Sequence, residues 1–255
     1  MQARHTRQRL GLSLAGLFML ATAGTPAAAP ERILLIGNSY TAATWQALRS
    51  FVQADLQLQG STVTAVCPGG RKLVEHLRDA ATVSLVETGR WSCVVLQEQS
   101  VLPALAARNA AARQDFEAGA DGLAQLAGRT GAKVLFFQTW ARAAGETNVL
   151  AAFGGDPGKM MNALAGSYQA AAERAPARVA PVGRAWERWL ATHPDVKLHA
   201  PDRSHPNATG AYLTGAVIYV TLTGHACGGL PYTASLPPTT AAALRALADE
   251  LAAAP

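Results

Sequence analysis

Residues 32–41 read RILLIGNSYT. The run from Arg32 to Ile36 is short and rich in branched side chains, so it reads as a buried strand rather than a helix. Gly37 permits a tight exit, and Asn38, Ser39 and Tyr40 stand on the turn into a helix-like stretch near 43–58. Similar runs recur at Thr62 to Val66, Cys93 to Leu96, Val134 to Phe137 and Arg178 to Val182. Longer Ala- and Leu-rich stretches separate them near 71–89, 104–128 and 158–174, with three more near 184–191, 207–223 and 239–253. This βαβα rhythm predicts a three-layer α/β/α domain on a five-stranded parallel sheet, with helices on both faces. Thr130-Gly131 closes a helix before the fourth strand, and Asn207 stands where an N-cap belongs. The stretch 143–157, AAGETNVLAAFGGDP, reads as a surface loop flanking the site.

Outward from the strands, the bulk properties set limits. With 49% hydrophobic and 15% charged residues over 255 positions, residues 30–255 suffice for one domain. Residues 1–29 differ: Arg4, Arg7 and Arg9 precede an uncharged apolar run from Leu10 to Leu20, followed by small residues. That is the layout of a secretory signal peptide, with cleavage after Ala23, Ala28 or Ala29. The run falls well short of the roughly 20 residues of a membrane-spanning helix, so no stable anchor is expected after cleavage. Loss of 1–29 lowers the formal charge from +5 to +2. No Lys/Arg cluster with interleaved aromatics remains, which argues against nucleic acid as a partner. Cys67, Cys93 and Cys227 would allow one disulfide in an oxidising compartment, and no Cys-x-x-Cys zinc or redox spacing is present.

In a parallel α/β sheet ligands bind beyond the carboxyl ends of the strands, and four such places are polar. Ser39 follows the first strand, where it fits either a helix cap or a nucleophile beside backbone N–H groups able to hold an oxyanion. Cys67-Pro68-Gly69-Gly70 follows the second strand and lets backbone N–H groups approach a ligand. Gln97-Glu98-Gln99-Ser100 follows the third; a glutamine amide there fits an oxyanion donor or a bond to a neighbouring loop. Near the C-terminus Asp202 and His205 stand three apart on a proline-bounded loop, placed to set a carboxylate against an imidazole that faces a serine. Trp140, after the fourth strand, fits either the wall of a sugar or acyl pocket or the core. His76 and His193 read as surface residues, His199 and His225 carry no role, and Trp186 and Trp189 read as core.

In this order the four places resemble the blocks of the SGNH (GDSL) hydrolases over about residues 32–222, with GNSYT and Asp-x-x-His-Pro-Asn as the specific parts. The resemblance implies a flavodoxin-like fold and a serine esterase in which Ser39 is the nucleophile, His205 the base and Asp202 the acid. It makes Gly70, or Gly69, the second-block glycine, and needs no metal or organic cofactor. The third block departs from the pattern, because no Gly-x-Asn-Asp follows the third strand. Gln97 is the expected substitute for the oxyanion asparagine, with Gln99 second, beside the N–H groups of Ser39 and Gly70. Exported relatives point to a small-molecule or glycan O-acyl ester, O-acetyl foremost, met in the periplasm or outside the cell. A lipase or thioesterase, or a catalytically weak glycan-binding protein, are the alternative readings.

Overall fold

The structure, a computed structural model, describes residues 31–253, so the leader-like segment lies outside the described residues. Strand β1 (Arg32–Ile36) leads into α1 (Ser39–Ala54), and β2 (Thr62–Val66) follows. Next come α2 (Leu73–Arg78), α3 (Ala80–Thr88), β3 (Cys93–Leu96), α4 (Leu102–Ala106), α5 (Ala110–Arg129) and β4 (Lys133–Phe137). The described chain continues with α6 (Pro157–Arg174), β5 (Ala177–Ala180), α7 (Val182–Thr192), α8 (Ala208–Thr223) and α9 (Pro238–Ala253). The five strands lie in the order β2-β1-β3-β4-β5, all parallel. That is the flavodoxin-like order, whose direction reverses between β1 and β3 and opens a crevice beyond those strand ends.

Alternation along each strand assigns the two faces. Ile33 and Leu35 join Val95, Leu135 and Phe137 in a core that also takes Phe51, Trp186, Tyr212 and Leu244 from α1, α7, α8 and α9. Leu34 and Ile36 join Val94, Leu96 and Phe136 on the opposite face with Leu73, Val86, Phe116, Leu123 and Tyr168 from α2, α3, α5 and α6. Burial on both faces explains why these strands are continuous apolar runs rather than alternating ones.

The helices depart from expectation in three places. Helix α1 begins at Ser39 rather than near 43, because Asn38 caps it by accepting from the Tyr40 N–H at 3.2 Å. The stretch 71–89 divides into α2 and α3 because Asp79 caps a second helix through the Thr82 N–H, and 104–128 divides into α4 and α5 at the Asn109 cap. Residues 143–157 are not loop alone: Leu150 and Phe153, on a 3-10 turn, pack with Ala104, Met160, Met161 and Leu164. Elsewhere the punctuation holds. Gly131 ends the α5 region at a positive φ of 84°, and Asn207 Oδ1 accepts from the Gly210 N–H at 3.0 Å to cap α8. All three cysteines are free thiols, two of them buried, so the one disulfide they would allow is not formed. No helix among the described residues is long and apolar enough to cross a membrane.

Candidate active site

The register brings the polar strand exits together. Ile36 pairs with Val66 and with Leu96, so β1, β2 and β3 end at one level, and the Gly37 and Gln97 N–H groups extend the pairing by one residue. The opposite partner arrives through α8. Gly215 lets α8 close on α1, since a Cβ there would stand 2.7 Å from Ala47 Cβ. The two residues lie about two turns into their helices, so the helices start level and the loop before α8 faces the first residue of α1.

That loop is a tight hairpin. The Ala200 N–H donates to His205 O at 2.7 Å and the Asn207 N–H to Leu198 O at 2.8 Å. Asp202 Oδ1 accepts from the N–H groups of Ser204 and His205 at 3.0 and 2.9 Å, and its Oδ2 lies 2.5 Å from His205 Nδ1. Burial pushes the Asp202 carboxyl up, but the bonds from the His205 ring and the two N–H groups outweigh it and bring the carboxyl to about 2. A carboxylate only accepts, so Nδ1 carries the proton and Nε2 presents its lone pair. His205 Nε2 lies 2.9 Å from Ser39 Oγ. Ser39 is half-buried, and the side chains of His205 and Asp202 are 42% and 49% exposed, so the pair opens onto solvent. The predicted residues Ser39, His205 and Asp202 therefore stand in one hydrogen-bonded line.

Ser39 is the first residue of α1, and the capping duty weighed for it in the sequence belongs to Asn38. Between Gly37 and Ala42 every backbone N–H has a protein acceptor among the described residues except that of Ser39. An unclaimed N–H at a helix start is an anion donor. Gly69 and Gly70 stand exposed on the neighbouring turn, and a φ of 71° at Gly70 explains the glycine there.

Gln97 is not at the surface of this site, and its expected part as oxyanion donor is corrected by its bonding. It is 1% exposed. Its Oε1 accepts from the N–H groups of Asn38 and Thr41 at 3.1 and 3.2 Å and from the Thr41 hydroxyl at 2.8 Å. Its Nε2 donates to Asn38 Oδ1 at 3.1 Å and to Glu98 O, which uses both amide hydrogens. Gln97 is a brace behind the serine turn, and Gly37 is needed beside it because a Cβ would come within 2.6 Å of the Gln97 oxygen. Gln99 is half-buried; its Oε1 caps α4 through the Val101 and Leu102 N–H groups at 2.9 and 3.1 Å, and its Nε2 has no protein acceptor among the described residues. His76 is buried rather than on the surface, its Nε2–H donating to Gly37 O at 2.8 Å, and burial pushes its imidazole below the usual range.

Trp140 is 1% exposed, stacked between Tyr40 and Trp186 at centroid distances of 4.4 and 3.9 Å, and its Nε1–H donates to Ser204 O at 2.9 Å. It supports the hairpin more than it faces substrate. Trp186 and Trp189 are core residues, as their helical spacing implied. An apolar cleft of about 290 Å³ lies against Trp140, Met161, Trp186 and Leu190. Among the described residues no group of three or more His, Cys, Asp or Glu is placed to hold a metal ion.

No family model and no curated protein matches the sequence. Solved structures do. A protein from Slackia heliotrinireducens classed with the SGNH hydrolases is 26% identical, with a TM-score of 0.64 over 76% of this chain and 100% of its own. In fold and in its motif blocks the chain resembles the SGNH/GDSL superfamily of serine ester hydrolases. A DUF4886 family protein from Bacteroides uniformis has the same fold as this chain, with a TM-score of 0.71, 17% identity and coverage of 87% and 94%. So does the acetyl xylan esterase AlAXEase, with a TM-score of 0.57, 15% identity and coverage of 75% and 99%. Sequence reasoning missed the buried neighbours Asn38, Tyr40, His76 and Arg142. The one signal for Arg142 was a charged residue five positions past the fourth strand in Gln138-Thr139-Trp140-Ala141-Arg142.

Proposed function

We propose that this chain is an exported esterase that removes O-acyl groups, O-acetyl foremost, from carbohydrate, with Ser39, His205 and Asp202 as its catalytic triad. The observation that carries the proposal is the 2.9 Å line from Ser39 Oγ to a His205 ring whose Nδ1 is anchored at 2.5 Å by Asp202. His205 Nε2 takes the serine proton as Oγ attacks the ester carbonyl, and Asp202 stabilises the imidazolium that forms. The tetrahedral oxyanion meets the Ser39 N–H at the start of α1, the N–H groups of the Gly69-Gly70 turn and the free Gln99 amide. His205 then protonates the leaving alcohol, and water repeats the cycle on the acyl-enzyme.

The exposure of His205 and Asp202 supports a substrate whose alcohol side is large, as a glycan is. The fold shared with an acetyl xylan esterase supports acetate as the acyl group. Export rests on the leader-like residues 1–29. The test is hydrolysis of p-nitrophenyl acetate, and of acetylated xylo-oligosaccharide, by the protein and by Ser39→Ala. Wild type is expected to release acetate from both, and Ser39→Ala to fall to background. Equal slow rates for the two proteins would refute the proposal and favour a binding role.

A further inference from the structure

Arg142 is an anomaly in the interior. It is 9% exposed, yet no described carboxylate forms an ion pair with it. Its Nη1 donates to the Tyr40 hydroxyl and its Nη2 to Ser100 Oγ at 3.0 Å. Burying a cation without a counter-ion carries a desolvation penalty that an apolar side chain would not. Packing alone does not call for it.

Its surroundings indicate what it does. A guanidinium has only donors, so the Tyr40 oxygen must accept from Arg142, and the same hydroxyl is hydrogen-bonded to Ser204 Oγ, 2.9 Å away. Burial pushes the Tyr40 phenol above its usual range, so the group stays a neutral hydroxyl. Ser204 lies between Asp202 and His205, and Tyr40 follows Ser39, so this relay ties the two halves of the site. The segment 140–146 adds further bonds to the same hairpin. Trp140 Nε1 donates to Ser204 O at 2.9 Å, His199 Nε2 to Ala141 O at 2.9 Å, the Ala143 N–H to Arg203 O at 3.0 Å, and Arg203 Nη1 to Gly145 O. Arg203 holds a positive φ of 61°, a conformation that side chains rarely adopt and that this bonding maintains.

We infer that Arg142 is a positioning residue: through the Tyr40 hydroxyl and Ser204 it sets the hairpin that holds His205 at hydrogen-bond distance from Ser39. The inference rests on the triad reading above. It gives Arg142 a role in geometry, since its own atoms touch neither Ser39 nor His205. A fork of two donors is required, because Tyr40 and Ser100 are engaged by different nitrogens, and a lysine ammonium on a flexible stem does not reproduce that geometry.

Three variants and two readouts test it. Arg142→Met removes the cation and fills its space, Arg142→Lys keeps the charge without the fork, and Tyr40→Phe removes only the hydroxyl. With p-nitrophenyl acetate, kcat is expected to fall by about 100-fold in Arg142→Met and by a similar factor in Tyr40→Phe, the scale of a 1 Å misplacement. KM should stay within about twofold, because binding is not what the relay supplies. Arg142→Lys should recover little, and Arg142→Met/Tyr40→Phe should lose no more than either single change, as members of one chain do. Tm of Arg142→Met is expected to equal or exceed that of wild type, since an unpaired buried charge has gone. Amide hydrogen exchange of residues 200–205 in Arg142→Met should quicken by about tenfold or more while β1 and β3 stay protected. Unchanged kcat, or a kcat loss that follows a matching loss of Tm, would overturn the inference. So would unchanged exchange in the hairpin, a result that decides the matter even if wild type and Ser39→Ala prove equally inactive and the esterase reading fails.

Discussion

At the scale of the residue, Ser39 and Gln97 had opposite fates, and the difference is physical. The role of a serine at a strand exit depends on the turn that carries it and on one partner. Both the Gly-Asn-Ser turn and the Asp-x-x-His spacing are local in sequence, so both were legible. The direction of a glutamine at the end of β3 depends on what lies behind it. There, two backbone N–H groups and a hydroxyl converge on one oxygen, and no local pattern announces them. Gln97→Ala should leave those donors buried without acceptors, a loss of about 1–3 kcal/mol for each such group in denaturant unfolding. Gln99→Ala should cost only the α4 cap, about 1 kcal/mol, and lower kcat by roughly 10- to 1000-fold if its amide is the third oxyanion donor. The reverse pattern, a stable Gln97→Ala with lost activity, would return the donor role to Gln97.

At the scale of the element, strands were read more accurately than helices. Short apolar runs bounded by punctuation leave little choice where both faces of a strand are buried, as in β1, β3 and β4, while the edge strands β2 and β5 are only partly covered. The divisions at Asp79 and Asn109 were missed because each cap is one polar residue in a stretch of helical composition, and only its bond to a backbone N–H marks it. The pairing of α1 with α8 was not legible, although the closeness of Ser39 to His205 depends on it. Gly215→Val should show this. The added side chain meets the Ala47 and Leu48 backbone at 2.8 Å, so the helices must part. A loss of about 1–3 kcal/mol in unfolding and a fall in kcat are expected. An unchanged kcat in a destabilised protein would mean that the hairpin, rather than the helix pair, sets the distance. Asn207→Ala removes the α8 cap bond from Gly210 and the bond from its amide to Lys197 O at 2.8 Å, and should cost about 1–2 kcal/mol.

At the scale of the whole molecule, the carboxyl end of the sheet does two jobs, since it carries the site and, two residues past β3, holds a buried acid. Glu98 is fully buried, accepts from the Leu73 and Gln99 N–H groups at 3.1 and 2.6 Å, and has an Oε2 with no partner. Burial pushes its carboxyl up to about 8, against the pull of those two donors. An acid whose pKa is raised on folding stays protonated in the native state while the unfolded chain ionises. Its stabilising contribution is therefore full below about 4, lost as pH rises towards 8, and constant above that. Thermal melts of wild type and Glu98→Gln should diverge accordingly, with wild type losing ground between pH 5 and pH 8. Parallel profiles would mean that Glu98 is ionised throughout.

The central claim, that one serine is made nucleophilic by the hairpin opposite it, meets its most direct test in labelling. A fluorophosphonate should add one phosphonyl group to the wild-type protein, found by peptide mass on Ser39, and His205→Ala should label far more slowly under the same conditions. A label on any other residue with Ser39 unmodified, or equal labelling of Ser39 with and without His205, would contradict the account.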